Sequence, residues 1–256
     1  MKAAELFDIA GKKAFVTGGT RGLGYGMAEA LLEAGCDIVI GGTGESVFKV
    51  AKDFCGRGYN CRGVRADLGK RAEVYRAVNE AAGLLGNEID ILVTAHGIQR
   101  RHSAEEFPPD EWDEVINVNL NSVFILCQEA GKLMIKKGYG KIILISSMLA
   151  WFGGQTVPAY AASKGGVTQL CKELSNDWFS RGINVNAIAP GYMATEMNTA
   201  LMDPANPRCS QITDRIPARR WGTPDDMKGA VIFLASRASD YMGGCILPVD
   251  GGYLVK

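Results

Sequence analysis

The chain has 256 residues, enough for one large α/β domain or two small ones with a substantial buried core. Apolar residues make up 47% and charged residues 22%, close to ordinary globular usage. Its 28 Lys plus Arg balance 28 Asp plus Glu, and no long basic run occurs, so no field favours nucleic acid or an anionic membrane.

Short apolar runs alternate with helical stretches from the start. Residues 13–17 read as a first strand, followed by a helix over 22–34 that ends at Gly35. A strand at 37–41, a helix over 47–54, a strand at 61–65, a helix over 70–85 and a strand at 89–94 follow. A long helical region over 112–137 leads into 141–145, a strand fully apolar after its first residue. Then come a helix over 159–179, a strand at 183–188, a helix over 224–235 and a last strand at 245–249. Val/Ile/Leu runs without alternation imply strands buried on both faces, as in a parallel sheet. Regular βα alternation predicts a doubly wound α/β fold with right-handed crossovers. Residues 191–223, with Pro204, Pro207 and Pro217, are too polar and broken for core; they follow a strand end, where lids are built.

The seven cysteines, Cys36, Cys55, Cys61, Cys127, Cys171, Cys209 and Cys245, are scattered, odd in number and form no C-x-x-C pair. They read as reduced thiols. Met1 leads into Lys-Ala-Ala-Glu-Leu-Phe-Asp without a signal-peptide core, and no apolar run reaches about 18 residues. A cytoplasmic protein with no membrane span is expected, and no metal. Zero net charge adds little solubility, which favours a defined oligomer.

Thr17-Gly18-Gly19-Thr20-Arg21-Gly22-Leu23-Gly24 lies between the first strand and the first helix. Without Cβ atoms the backbone can approach a pyrophosphate, and the helix N-terminus offers unpaired N–H groups and a positive dipole end. The spacing is Gly18-x3-Gly22-x-Gly24 rather than G-x-G-x-x-G, and glycine turns also serve packing alone. No Gly-Lys-Ser/Thr follows, which excludes a Walker loop. The second strand ends Ile40-Gly41-Gly42-Thr43-Gly44, with no acid to bind a ribose 2′-OH and repel a 2′-phosphate. Arg21 and Thr43 are within reach of such a phosphate; the plainer reading is a solvated Arg21 and a turn-permitting Gly42. The expected cofactor is NADP or NAD, with NADP favoured.

Tyr160-Ala161-Ala162-Ser163-Lys164 places Tyr160 and Lys164 four apart, on one helix face. A phenol of pKa about 10 is a poor base at neutral pH. An adjacent ammonium and a positively charged nicotinamide favour the phenolate, so that Tyr160 exchanges the substrate proton while hydride moves. Alone, Y-x-x-x-K usually marks a surface helix. Here Ser146 and Ser147 end the fifth strand, at the sheet edge where ligands sit, and a serine hydroxyl there can hold the substrate oxygen. Asn119, a poor helix former inside the long helix, is either a surface amide or the mark of a kink that offers a carbonyl or amide to a water near Lys164.

With these residues in place, the chain resembles the classical short-chain dehydrogenase/reductase family from end to end. The matching motifs are Thr17-Gly18-x3-Gly22-x-Gly24, Asp67-Leu68, Val118-Asn119, Ser147, Tyr160-x3-Lys164, Pro190-Gly191 with Thr195, and Asp250-Gly251-Gly252. The resemblance implies one Rossmann-like domain over 1–256 with about seven strands, and a catalytic tetrad of Asn119, Ser147, Tyr160 and Lys164. Ser147 is preferred over Ser146 because the family's serine lies thirteen residues before the tyrosine. Asp67 is implied at the adenine, Lys164 also at the nicotinamide ribose, and Thr195 at the carboxamide or pyrophosphate side. Further implied cofactor contacts are Gly18, Thr20, Arg21, Gly22, Leu23, Gly24, Thr43, Leu68, Ala95, Gly97, Tyr160, Pro190, Gly191 and Met193. A homotetramer is implied, meeting through 112–137, 159–179 and the segment around Tyr253. One departure stands out. The family's Asn-Asn-Ala-Gly is here Thr94-Ala95-His96-Gly97, so the hydrogen bonds that tie this turn to its neighbours need replacement. His96 is expected as a bulky neighbour of the cofactor ribose, and His102 as an exposed loop residue.

Within the family, the stretches around Gly35, Arg100-Arg101, Ser147-Met148-Leu149-Ala150, Tyr192-Met193-Ala194-Thr195 and Arg219-Arg220-Trp221-Gly222 resemble sugar-acid dehydrogenases. The implied substrate is of gluconate or 2-dehydro-3-deoxygluconate type. Arg100, Arg101 and Gln155 are candidate anchors for its carboxylate, beside Ser147 and Tyr160 at the reacting oxygen; the alternative for these three is solvated loop groups. The other readings are a 3-oxoacyl-carrier-protein reductase, which shares the tetrad, and a non-catalytic nucleotide-binding protein on the same fold, against which the intact tetrad argues.

Overall fold

The computed structural model describes residues 2–256. The apolar runs form seven strands: β1 (Lys13–Thr17), β2 (Asp37–Gly42), β3 (Cys61–Arg65), β4 (Ile91–Thr94), β5 (Gly140–Ile145), β6 (Ile183–Pro190) and β7 (Ile246–Val249). They build one parallel sheet ordered β3-β2-β1-β4-β5-β6-β7. Every residue of β4, β5 and β6 is buried, as expected for strands covered on both faces. The outermost strand β7 is only partly covered.

Helices α1 (Gly22–Glu33), α2 (Ser46–Gly56), α3 (Arg71–Leu84), α4 (Pro109–Ile116), α5 (Ser122–Lys137), α6 (Pro158–Trp178) and α9 (Lys228–Ala235) flank the sheet on its two faces, with two short helices, α7 (Thr199–Met202) and α8 (Pro207–Arg215), set apart after β6. Period-two alternation divides the strand side chains between two cores. Phe15, Val39, Leu92, Ile142 and Val185 pack with Val78, Leu126 and Val167 beneath α3, α5 and α6. Val16, Ile40, Val93 and Ile143 pack with Met27, Leu31 and Val231 beneath α1 and α9. Lys141, second in the buried fifth strand, is 1% exposed. Its Nζ donates to Asn184 Oδ1 at 2.9 Å and Asp240 Oδ1 at 2.8 Å, partners that offset the cost of burying an ammonium.

Three differences from the sequence reading have local causes. The helix expected over 112–137 starts earlier, with Pro109 at its first turn, and is interrupted by a π-helical turn at Asn117–Asn121. There the Ser122 N–H reaches back five residues to the Asn117 carbonyl. The helix expected over 224–235 begins as a tight turn, Pro224–Met227, capped reciprocally by Thr223 and Asp226. The stretch 191–223 is not wholly excluded from core. It carries α7 and α8, whose Leu201 and Ile212, with Ile216 just past α8, bury against Met148 and Tyr253 in a small separate cluster. No helix among the described residues is long and apolar enough to cross a membrane.

Candidate active site

The strand order reverses between β1 and β4, so the turns that leave their carboxyl ends face one crevice. Gly18 sits at φ +68°, and a Cβ there would lie 2.8 Å from His96 Cα. Only glycine permits this approach. A Cβ on Gly24 would meet the Gly18 carbonyl oxygen at 2.2 Å, and one on Gly42 would meet Thr20 Cγ2 at 2.9 Å. At Gly22, φ +54°, the nearest atom to a Cβ is the Thr195 methyl at 3.7 Å, leaving a groove between the start of α1 and the segment after β6. Arg21, at the α1 N-cap, makes no side-chain cap, so the amides of Gly22, Leu23 and Gly24 face that groove unpaired. A cradle of bare backbone donors at a positive helix end fits a pyrophosphate.

Around it, Thr43 is exposed beyond β2, and Leu68 is buried. Asp67 accepts from the Gly69 N–H at 3.1 Å. Ala95 lies against Gly18. Pro190 ends β6, and a Cβ on Gly191 would stand 2.6 Å from Asp250 Cα. Met193 is buried and bridges to Gly222. The Arg21 guanidinium is not free: it pairs with Glu196, one residue past Thr195.

The departure at Thr94-Ala95-His96-Gly97 has a structural answer. His96 Nδ1 lies 2.7 Å from Thr17 Oγ1, and Nε2 lies 2.7 Å from Ser122 Oγ and 3.1 Å from the Val118 carbonyl. The ring therefore ties β1 to the π turn. Ser122 already donates to Val118 at 2.6 Å, so the neutral tautomer with Nε2–H donating and Nδ1 accepting satisfies every group. Burial, and then the Lys164 charge, hold the imidazole down at about 3. His96 is a neutral strut. The replacement is incomplete, because Thr94 Oγ1 is buried with no partner.

Asn119, Ser147, Tyr160 and Lys164 come together from the π turn, the end of β5 and the first turns of α6. The Asn119 amide accepts from the Ile98 N–H at 2.9 Å and donates to the Ile98 carbonyl at 2.9 Å and Ser163 Oγ at 3.2 Å. It clamps the loop after β4 to α6, so the amide itself is not left over for a water. Ser146 is turned inward, bonded to Thr168 at 2.6 Å, whereas Ser147 lines the open cleft. Lys164 Nζ donates to the Ile145 carbonyl at 2.7 Å and lies 5.6 Å from the Tyr160 ring centroid. A Cβ on Gly97 would stand 3.3 Å from Asn119 Oδ1 and 3.9 Å from Lys164 Nζ, which fixes both beside the crevice.

The electrostatics differ from the sequence expectation. Burial raises the Tyr160 phenol, and only the Ser147 hydroxyl pulls it down. Burial alone brings Lys164 down to about 8. These side chains by themselves do not lower the tyrosine; a further positive charge is needed.

The cleft beyond Tyr160 is lined by Gln99, Arg101, Ser147, Gln155, Tyr192, Asn198 and Arg208, with Met148, Leu149 and Leu201 as apolar wall. Arg101 and Gln155 are where the sequence suggested. Arg100 is not: its guanidinium pairs with Glu114 at 2.9 Å. His102 pairs with Glu111 at 2.9 Å, outside the cleft lining. Sequence reasoning missed Tyr192, Asn198 and Arg208. Arg208 stands four residues before the buried Ile212 on α8, a helical spacing that puts the two on one face. Burial, followed by the Arg208 charge, lowers Arg101. Burial raises the Tyr192 phenol, while Arg208 and Arg101, which line the same cleft, oppose that rise.

A family model described as enoyl-(acyl carrier protein) reductase matches residues 18–254. A 2-dehydro-3-deoxy-D-gluconate 5-dehydrogenase of Bacillus subtilis is 47% identical over 253 residues, and one of Pseudoalteromonas atlantica 46% identical over 254, each match covering 98% of both chains. The crystal structure of a gluconate 5-dehydrogenase from Burkholderia cenocepacia, in complex with NADP and tartrate, is similar with a TM-score of 0.95 at 40% identity and covers 100% of both chains.

Proposed function

The chain belongs to the short-chain dehydrogenase/reductase family, and from that premise we propose that it oxidises or reduces a secondary alcohol or ketone of a sugar acid, of gluconate or 2-dehydro-3-deoxygluconate type, with NADP or NAD. The carrying observation is the meeting of Asn119, Ser147, Tyr160 and Lys164 at the mouth of a cleft that holds cationic and amide side chains. The identities of 46% and 47% over nearly the whole chain support the sugar-acid class over a carrier-protein thioester.

In this reading the glycine cradle, Thr20, Thr43, Asp67, Leu68, Ala95 and Thr195 hold the dinucleotide, which when bound carries the hydride and, oxidised, brings a positive ring to the site. Ser147 Oγ holds the substrate oxygen. Tyr160 gives or takes the hydroxyl proton, its phenolate favoured by the charges of Lys164 and of the ring together. Lys164 also holds the nicotinamide ribose beside Gly97. Asn119 acts through position: its amide fixes Ile98 and Ser163, and so the loop and helix on which the other groups stand. NADP is favoured because β2 ends in Gly41-Gly42, followed by Thr43, with no acid at its end, and Arg21 stands in the turn.

Residues 191–223 are read as a lid, supported by the small cluster beneath α7 and α8 and by the Arg21–Glu196 tether. Seven free cysteines are in keeping with a reducing, cytoplasmic setting. A homotetramer is favoured by exposed Trp112 and Phe124 on α4 and α5 and by the partly covered edge strand β7; light scattering at micromolar concentration tests it, and a monomer would overturn it. The decisive experiment is turnover of a sugar-acid panel with both cofactors. Preference for a 3-oxoacyl thioester over every sugar acid would overturn the reading.

A further inference from the structure

Two arginines line the cleft beyond Ser147 and Tyr160, and no aspartate or glutamate lines it with them. Arg101 comes from the loop after β4, on the body of the domain; Arg208 comes from the first turn of α8. Elsewhere guanidinium groups are widely paired: Arg57 with Glu29, Arg76 with Glu73 and Glu80, Arg100 with Glu114, Arg220 with Asp226. Among the described residues, neither Arg101 nor Arg208 makes a salt bridge or a side-chain hydrogen bond, and the two repel each other. Arg208 also stands at a helix N-terminus with no acid in the first turn, the wrong end of the dipole for a cation. Two uncompensated like charges lining one cleft call for an anion between them.

We infer that Arg101 and Arg208 are the two jaws of a carboxylate clamp, one on the body and one on the lid, so that the acid group of the substrate itself draws α8 over the cleft. This rests on the sugar-acid reading and deepens it. Planar forks from opposite sides match the two oxygens of a carboxylate. The anion also removes the repulsion between the jaws, so closure is coupled to the presence of the charge. Ile212, one turn along α8 from Arg208, and Ile216 just past the helix end cluster with Met148, which follows Ser147 directly. Movement of the jaw is thereby passed to the residue next to the substrate oxygen. An uncharged polyol offers the same hydroxyls at the reacting end but closes nothing.

The test compares D-gluconate with D-glucitol, in which the carboxylate is a CH2OH group. Charge-assisted hydrogen bonds of this kind support a fall of about 10- to 100-fold in the gluconate-over-glucitol ratio of kcat/KM for Arg208→Ala, expressed mainly in the KM for gluconate. Arg208→Lys restores the charge without the fork and is expected to recover part of the ratio, which a merely misfolded α8 would not do. Calorimetric binding of both compounds to the Tyr160→Phe enzyme with NADP present needs no turnover. A ratio unchanged by Arg208→Ala while sugar acids are turned over overturns the clamp and leaves the sugar-acid reading standing. Gluconate that binds and loses affinity with Arg208→Ala, in an enzyme that turns over no sugar acid, supports the clamp and overturns that reading. No binding of gluconate or of any other sugar acid of the panel overturns both.

Discussion

The His96 strut makes stability depend on pH in a calculable way. Its imidazole has a value of about 3 in the folded chain against 6.5 when unperturbed, because burial and the Lys164 charge both oppose protonation. A base held low is neutral when folded, so its contribution is fully present above pH 6.5 and is lost as pH falls from there toward 3. In that window the unfolded chain alone takes up the proton, and stability falls by about 1.4 kcal/mol per pH unit. From pH 7 to pH 5 the loss from this one residue is therefore ~2 kcal/mol. The assay is urea unfolding at pH 7 and pH 5 for wild type and His96→Asn, at one protein concentration. Carboxylates titrate alike in both, so the difference between the two pH responses isolates the imidazole. The variant should be weaker at pH 7 by about 1–3 kcal/mol, for the lost bridge, yet less sensitive to acid. Equal responses to pH in the two proteins would refute the neutral strut.

Tyr160→Phe is expected to cut turnover by about 100- to 10,000-fold while leaving dinucleotide affinity, measured by fluorescence titration, nearly unchanged; near wild-type turnover would remove the proton role. Arg21 is shared between Glu196 and any 2′-phosphate, so Arg21→Ala should lower the NADP-to-NAD ratio of kcat/KM and Glu196→Gln should raise it, each about tenfold or less for exposed charges. A ratio unmoved by both leaves Arg21 as a surface tether only. Thr94→Val removes a buried hydroxyl that has no partner, and thermal unfolding should show it neutral or stabilised by about 1 kcal/mol; a loss of more than that would mean the hydroxyl is bonded in solution.

Much of the fold was legible because its signals are local. Uninterrupted Val/Ile/Leu runs marked β4 and β5, and Asn119 stood out as a candidate kink in the long helix. The glycine turn was readable from its local spacing after β1, although the close approach that demands glycine at Gly18 comes from His96, far along the chain. What escaped depends on contacts distant in sequence. His96 meets Thr17 across 79 positions and Ser122 across 26, and nothing in Thr-Ala-His-Gly announces either. Arg100 and Arg101 are indistinguishable as letters; Glu114, fourteen residues on, draws one away from the cleft. Arg208 was hidden in a polar stretch, although its four-residue spacing to Ile212 carried the signal.

The π turn at Asn117–Asn121 also decides which kinds of change this helix tolerates. Each residue of an α-helix is worth about 100° of rotation and 1.5 Å of advance. The extra residue in the turn thus keys α4 against α5 like two cams fixed at an angle on one shaft. Deleting a single residue there would let the hydrogen-bond ladder run on unbroken, a local gain in regularity. It would also swing α4 and Trp112 by about a quarter turn and pull Asn119 away from Ile98 and Ser163. Point substitutions on the outer face of α5 leave that phase untouched. The helix is forgiving of spelling and strict about length.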